Sequence, residues 1–212
     1  MALAFFNQFS GVNCITIYSS TLFENLNINP ITGSAMVGIF QLVGCLIATQ
    51  LNKVLGMRSI FIGGEFIMSV SHLIVAIAVG QEANTIVLVF IMVFLTVYQA
   101  SQGSYFWSYI AQVSSDTSNS VASMVLWSGV LVMAIFSQTF FDGLTIVGTF
   151  YMFFAINLVG GIFVTFCMKE TTGLTREQKM ALYSRDDDDT QPRYSSLNKR
   201  PMDDEDQTPD DN

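Results

Sequence analysis

Apolar residues gather into six long stretches that are separated by short polar segments. Each stretch has about the 20 residues that an α-helix needs to cross a hydrocarbon core roughly 30 Å thick. The short connections predict that consecutive helices lie antiparallel. The pattern therefore predicts six transmembrane helices, at about residues 2–22, 32–51, 60–79, 86–111, 121–140 and 146–168.

Charged residues are concentrated at the end of the chain. Of nine basic and 17 acidic residues among 212, only two basic and five acidic residues lie in residues 1–168. Hydrophobic residues make up 51% of the chain and the mean hydropathy is +0.47. We therefore predict an all-α integral membrane domain over residues 1–168. Residues 169–212 are acidic and poor in apolar residues, so they cannot offset the entropy cost of folding and are predicted to be a largely disordered tail.

The basic residues also predict the orientation of the chain in the bilayer. Lys53 and Arg58 lie in the connection between the second and third stretches, and the other seven follow the sixth stretch. Six crossings place both regions on the same side of the membrane. Because cytoplasmic loops carry an excess of Lys and Arg, we expect that side, and with it both termini, to be cytoplasmic.

Several neutral polar side chains interrupt the apolar stretches. A polar group in hydrocarbon is costly unless it faces a cavity or a neighbouring helix. Carboxamides both donate and accept hydrogen bonds, and an aromatic ring packs on C–H surfaces, so this set suits a neutral polyhydroxylated solute. The alternative is that these groups hold the helices together through interhelical hydrogen bonds. The candidates are Asn7, Gln8 and Asn13 in the first stretch, Gln41 in the second, and Gln99, Gln102, Trp107 and Gln112 in the fourth.

Two ionisable residues lie in the third stretch. Glu65 follows Arg58 by seven residues, a spacing that places both on one face of a helix and predicts an interfacial ion pair. A proton-coupling role is the alternative for Glu65. His72 lies deeper, and we expect it to be a hydrogen-bonded packing residue.

The chain shows no pattern typical of an enzyme or a metalloprotein. Its one histidine lies in an apolar stretch, and it has neither a Ser-His-Asp set nor a phosphate-binding loop. Cys14, Cys45 and Cys167 have unrelated spacings, which favour neither a disulfide framework nor a metal site. We therefore expect no catalytic residues, no metal and no cofactor.

Four short motifs carry a resemblance to a known family. NQFSGVN (7–13) resembles the seventh-helix motif Q-Q-x-S/T-G-x-N, and LNKVLGMRS (51–59) resembles the D-x-x-G-R-R/K loop. SQGSYFWSYIAQ (101–112) resembles a tenth-helix G-P-x-x-W element, and KETTGLTREQ (169–178) resembles P-E-T-K-G-x-T-x-E. Their order and spacing resemble those of the C-terminal six-helix half of a sugar porter, similar to the facilitative glucose transporters of the major facilitator superfamily.

The resemblance implies a fold, a function and a set of residues. It implies one six-helix bundle, equivalent to helices 7–12, that transports a hexose-like sugar by alternating access against a second bundle. That second bundle would be either a missing N-terminal half or a second copy of this chain. The implied sugar contacts are Asn7, Gln8, Asn13, Gln41, Gln99 and Trp107, and the implied gating residues are Tyr18, Gly56, Arg58, Glu170 and Gly173.

Two other functions remain open at this point. Lys53, Met57, Ser104, Gln112 and Lys169 depart from the family pattern, mostly in the gating motifs. The chain could instead be a non-transporting membrane protein that binds and regulates another protein. It could also form part of a carrier for a different small neutral solute.

Overall fold

The first apolar stretch forms three short helices. A computed structural model describes residues 2–25, 29–51 and 53–183, and in it helices α1 (Ala2–Phe9), α2 (Val12–Ile17) and α3 (Ser19–Asn25) follow one another. The first break is at Gly11, whose φ of 102° is a left-handed conformation that glycine adopts readily. The single helix predicted over residues 2–22 is thus replaced by a segmented one.

The next two helices are continuous and have recognisable starts. Helix α4 spans Pro30–Leu51, and the side chain of Asn29 accepts hydrogen bonds from the backbone N–H groups of Ile31 and Thr32 at 3.0 and 3.3 Å. Proline suits the first helical position because its missing N–H would be unpaired there anyway. Helix α5 spans Met57–Gly80 and has twelve buried residues, the pattern of a central helix.

The fourth span contains a change of helix type. Helix α6 (Asn84–Tyr98) continues into a π-helical turn (Gln99–Gly103), which is followed by α7 (Ser104–Val113). The three pieces run together over 30 residues, Asn84–Val113. A π-helical turn places an extra residue in the helix, so side chains after it are rotated relative to those of an uninterrupted α-helix.

The last two spans are joined by a tight reversal inside helix α8 (Asp116–Cys167). Thr145 has φ 63° and ψ 164°, outside the helical region. The Thr149 hydroxyl donates to the Phe140 carbonyl at 3.0 Å. Nine residues of straight α-helix would separate these groups by about 13 Å, so the chain folds back here. A short helix, α9 (Arg176–Ala181), follows and begins with a capping box between Thr175 and Gln178.

The helices assemble around α5, which packs against α6 and α8. Fully buried aromatic side chains fill the interior, among them Phe61, Phe94, Phe106, Phe150 and Phe153. Many large apolar side chains point outward instead, for example Leu42, Leu46, Met124, Trp127 and Leu131. An outward apolar surface on long apolar helices is typical of a protein surrounded by lipid.

In the described part of the chain, five helices are long and apolar enough to cross a membrane: Pro30–Leu51, Met57–Gly80, Asn84–Val113, Asp116–Phe141 and Gly143–Cys167. All regular structure in the described residues is helical. The chain is therefore an all-α, multi-pass membrane protein. The first of the six predicted crossings corresponds to the segmented α1–α3 region. Residues 169–183, at the start of the predicted tail, fold beside α7, and residues 184–212 lie outside the described part.

Candidate functional site

The break between α1 and α2 is closed by side chains from two other helices. The Ser10 carbonyl accepts hydrogen bonds from His72 Nε2 at 2.9 Å and from Asn157 Nδ2 at 3.0 Å. The Ser10 hydroxyl donates to the Asn7 carbonyl at 2.8 Å. Inside a membrane, non-helical backbone is tolerated where protein groups satisfy its polar atoms. His72 on α5 is thus a hydrogen-bonded packing residue, as predicted.

A chain of hydrogen-bonded amides lies beside this break. Asn13 Nδ2 donates to Gln8 Oε1, and Gln8 Nε2 donates to Asn7 Oδ1 at 2.9 Å. The Tyr98 hydroxyl on α6 also donates to Asn7 Oδ1, at 3.2 Å. Asn7 and Gln8 are buried, and Asn13 is partly exposed. We call Asn13, Gln8, Asn7 and Tyr98 the amide chain; it runs from the surface into the bundle.

Gly11 is needed at this break for two reasons. Its φ of 102° strains any other residue, and a Cβ atom there would lie 2.9 Å from Phe153 Cδ2. The close approach of the backbone to the Phe153 ring therefore depends on the missing side chain. Gly129 has a similar role next to the amide chain, because a Cβ atom there would lie 2.9 Å from Gln8 Cβ.

The other residues with implied sugar contacts are not hydrogen-bonded to the amide chain in the described part of the structure. Gln41 Nε2 on α4 donates to Thr16 Oγ1 on α2 at 3.3 Å. Gln99 opens the π-helical turn, directly after Tyr98. The Trp107 side chain is 41% exposed and meets the Phe106 ring edge-on. Among the described residues, no hydrogen bond joins Trp107 to the amides.

Two of the sequence motifs meet at the start of α5. Glu170 Oε2 accepts from the backbone N–H of Arg58 at 3.2 Å. Glu170 Oε1 accepts from the backbone N–H groups of Thr171 and Thr172, both at 3.0 Å, and from the Thr172 hydroxyl at 2.7 Å. A Cβ atom at Gly56 would lie 2.4 Å from Glu170 Oε2, so glycine makes room for the carboxylate. The acidic group lies at a helix N-terminus, where a negative charge is favourable.

The hydrogen bonds at Glu170 also favour the charged form of its carboxyl group. Partial burial opposes the charged form, but the N–H and O–H donors favour it more, and together they lower the pKa of the Glu170 carboxyl below its ordinary value. The carboxylate is therefore charged at neutral pH. Nearby, Arg58 Nη2 donates to the Thr165 carbonyl at 2.6 Å, so Arg58 bonds α8 through its side chain and Glu170 through its backbone.

The two remaining implied gating residues are at opposite ends of the bundle. The Tyr18 hydroxyl, between α2 and α3, donates to the Ala134 carbonyl on α8 at 3.0 Å. Gly173 has φ 79°, which turns the chain after the Glu170 contacts. Beyond that turn, the Tyr183 hydroxyl bonds the Tyr109 hydroxyl at 2.8 Å and anchors the described end of the chain to α7.

Glu65 does not pair with Arg58, and the ion-pair prediction is wrong. Glu65 is 0% exposed, and Gln102 Nε2 in the π-helical turn donates to its Oε1 at 2.5 Å. The guanidinium group of Arg58 instead bonds Thr165. The i, i+7 spacing places Glu65 and Arg58 on one face of α5, but the two side chains have different hydrogen-bond partners.

Tyr98 and Asn157 contribute to this region although sequence reasoning missed them. Tyr98 is in an apolar run and directly precedes Gln99, and Asn157 is a lone amide in the sixth stretch. A search for every uncharged donor in the apolar stretches would have found both. Their partners, however, lie 91 and 147 residues away in sequence, and no local pattern predicts such a pairing.

A cavity of about 440 Å³ lies away from the amide chain, at the α3 end of the bundle. Its polar lining includes Thr21, Gln138 and Thr145, and none of the implied sugar contacts reaches it. No group of three His, Cys, Asp or Glu side chains that could hold a metal ion occurs in the described part of the chain. The side chains of the amide chain are uncharged hydrogen-bond donors and acceptors.

Comparison with known proteins identifies similar folds. Two structures of XylE match 86% of this chain: a double-tryptophan mutant, with a TM-score of 0.78, and the major facilitator proton:xylose symporter bound to 6-bromo-6-deoxy-D-glucose, with 0.75. Both are 17% identical to this chain, which covers 41% and 42% of their lengths. The described helices therefore have the fold of part of a major facilitator protein.

Sequence comparison gives the same family. The glucose transporter GlcP of Staphylococcus epidermidis is 25% identical over 186 residues, which are 82% of this chain and 42% of GlcP. The arabinose-proton symporter of Bacillus subtilis is 23% identical over 185 residues, 83% of this chain and 40% of the symporter. This chain thus spans about two fifths of the length of these relatives. The family model described as "Sugar (and other) transporter" matches residues 1–183, and the chain belongs to that family.

Proposed function

We propose that this chain forms one six-helix bundle of a sugar carrier that transports a hexose-like sugar by alternating access. The observation that carries the proposal is the amide chain beside the break at Gly11, in a member of the sugar transporter family. Discontinuous helices with exposed polar groups are typical substrate sites in secondary transporters. The similar proteins GlcP and the arabinose-proton symporter are named for sugars, which supports this class of solute.

The proposed sugar site has an outer and an inner layer. Asn13 is the partly exposed end of the amide chain, and Gln41 and Trp107 offer an amide and an aromatic face that are also partly exposed. Gln8 and Asn7 are buried behind Asn13, and Tyr98 fixes the inner end. A sugar hydroxyl can replace the Asn13–Gln8 hydrogen bond, since each amide offers a donor and an acceptor. Gln99, next to Tyr98, completes the proposed set.

The proposed sugar site needs a second bundle to enclose it. Substrate in this fold lies between two bundles near the midplane of the bilayer, and this chain covers about two fifths of its relatives. We propose that a second six-helix bundle, on the same or another chain, faces the amide chain. The basic residues Lys53, Arg58 and Lys169 are at one end of the helices, which supports a cytoplasmic position for that end and for both termini.

The proposed gating region is the contact between Glu170 and the start of α5. It joins two connections, the α4–α5 turn and the segment after α8, through hydrogen bonds to a charged carboxylate. At the other end, the Tyr18–Ala134 hydrogen bond joins the segmented first span to α8. We propose that these two contacts hold the bundle rigid while it rocks against its partner.

Reconstitution of the purified chain in lipid vesicles tests the proposal. Equilibrium binding of radiolabelled hexose is measured first, and then uptake into vesicles made from separated monomer and dimer fractions. We expect Gln8→Ala and Trp107→Ala to weaken binding, while Gln81→Ala, at an exposed amide in the α5–α6 turn, leaves it unchanged. Binding with uptake by dimers alone would support two copies of this chain as the carrier.

The same experiment separates the alternatives. If hexose binds to neither fraction but another small neutral solute does, the chain belongs to a carrier for that solute. If no solute binds and the variants behave like the parent chain, the amides serve only to hold the bundle together, and a membrane interaction protein becomes the better description.

A further inference from the structure

The side chain of Glu65 is buried among uncharged groups. Glu65 on α5 is 0% exposed, and a Cβ atom at Gly160 on α8 would lie 3.0 Å from its Oε1. Gly161 is packed next to it, against the Glu65 Cβ. The Glu65 carboxyl group is therefore packed between α5 and α8, where water cannot solvate a charge. Burying an isolated carboxylate in such a place is very costly.

None of the groups around Glu65 supplies a compensating positive charge. On α5, Arg58 is seven residues away, about 10 Å along the axis, and is bonded to Thr165. His72, seven residues in the other direction, is bonded to Ser10. The titratable group facing Glu65 from α6 is Tyr98, a neutral phenol close enough to interact electrostatically. From α8 the two glycines face it, and from the π-helical turn it meets Gln102.

Two buried atoms of this pair have no hydrogen-bond partner among the described residues. They are Glu65 Oε2 and Gln102 Oε1, one on each side chain, while the other two polar atoms already bond each other. A carboxylic acid and a carboxamide can form two hydrogen bonds at once: the amide N–H donates to the acid carbonyl, and the acid O–H donates to the amide carbonyl. A single proton on Glu65 Oε2 gives both atoms a partner.

We propose that Glu65 and Gln102 form a proton-binding site that joins α5 to the π-helical turn of the fourth span. A proton taken from water converts the carboxylate to the neutral acid, which donates to Gln102. Where the two helices meet, Gly64 and Ser101 allow the close approach, because a Cβ atom at Gly64 would lie 2.3 Å from Ser101 Oγ. The ligand is the proton itself. Glu65 and Gln102 share no described hydrogen bond with the amide chain, although its member Tyr98 faces Glu65, and the proposal does not depend on the solute proposed above.

Infrared spectroscopy of the full chain in phosphatidylcholine vesicles at pH 7 tests the site directly. The C=O stretch of a protonated carboxylic acid is expected in the parent chain and is expected to disappear in Glu65→Gln. The matched control is Glu82→Gln, at an exposed position in the α5–α6 turn, which should keep the band. The helical amide band in the same spectra shows that each variant is folded, and no sugar is required.

A second variant tests the partner. Gln102→Leu removes the N–H donor to the acid carbonyl, so the acid band should move to higher frequency. An absent band in the parent chain at pH 7, or one that survives Glu65→Gln, would overturn the proton site. A band that keeps its frequency in Gln102→Leu would overturn the pairing with Gln102.

Discussion

His72 donates from Nε2 to the carbonyl oxygen of Ser10, 62 residues away, at the point where the first span is broken. Asn157 donates to the same oxygen from the last span. Two helices that are distant in sequence thus satisfy one carbonyl that the break leaves free. The break in the first span is in this way supported by side chains of two other helices.

We expect the two donors to the Ser10 carbonyl, His72 and Asn157, to contribute non-additively to the free energy of unfolding. His72→Leu and Asn157→Leu each leave Ser10 one donor, so each should lower the free energy of unfolding by about 1 kcal/mol. The double variant leaves the buried Ser10 carbonyl without a donor. Its free energy of unfolding should therefore fall by about 1 kcal/mol more than the sum of the losses in the two single variants. Unfolding in mixed detergent micelles measures all three. Ser71→Ala combined with Asn157→Leu is the control and should be additive, since the Ser71 hydroxyl bonds Ile67 in its own helix.

Gly11→Ala should destabilise the bundle. A non-glycine residue at positive φ costs about 1–2 kcal/mol, and the new methyl group meets the Phe153 ring at 2.9 Å. Gly38→Ala is the matched control, because a Cβ atom there has open space within 4 Å and the position is helical. It should be neutral or stabilising by about 0.5–1 kcal/mol. Equal unfolding midpoints for the two variants would contradict the role given to Gly11.

Glu170 should make the free energy of unfolding depend on pH. Its pKa is lower in the folded chain than the ordinary 4.5, so the unfolded chain binds the proton more tightly. The stabilisation is therefore complete above that ordinary value and is lost as the pH falls through the lower folded value. Thermal unfolding scans from pH 7 downward should show a larger acid-induced loss for the parent chain than for Glu170→Gln. Glu177→Gln, at an exposed position on α9, should behave like the parent chain.

Tyr98→Phe should weaken sugar binding if the amide chain is the proposed site. The change removes the donor to Asn7 Oδ1 and leaves the ring in place. A neutral hydrogen bond contributes about 1 kcal/mol, which corresponds to an affinity about five times lower. Tyr151→Phe, at an exposed position on α8, is the control. Unchanged hexose affinity in Tyr98→Phe, with normal binding by the parent chain, would remove Tyr98 from the site.

The all-helical membrane fold could be predicted from the sequence because it follows from local composition. Runs of about 20 apolar residues and the few charges that end them locate the long helices to within a few residues. The prediction that His72 is a packing residue was also correct. The helix positions depend only on composition within each segment, whereas the partner of His72, Ser10, lies on another span and was not predicted.

The features that the sequence did not predict depend on contacts between helices or on local backbone changes. Glycine at 11 is compatible with helix or break, and the donors to the Ser10 carbonyl that help to stabilise the break are distant in sequence. The π-helical turn in the fourth span, which rotates Trp107 relative to Gln99, was likewise not predicted. Glu65 was assigned to Arg58 from spacing, whereas tertiary packing brings it to Gln102. The residues proposed to contact sugar remain a prediction from motif resemblance.

The amide chain has a consequence for the biogenesis of such a carrier. Each of its hydrogen bonds joins residues of the same bundle, from Asn13 to Tyr98. These hydrogen bonds of the proposed sugar site can therefore form as soon as the fourth span has been inserted into the bilayer. In the proposed carrier, a second bundle would then dock onto a surface that is already formed. The buried amides of Asn7 and Gln8 would have their hydrogen bonds before that contact is made.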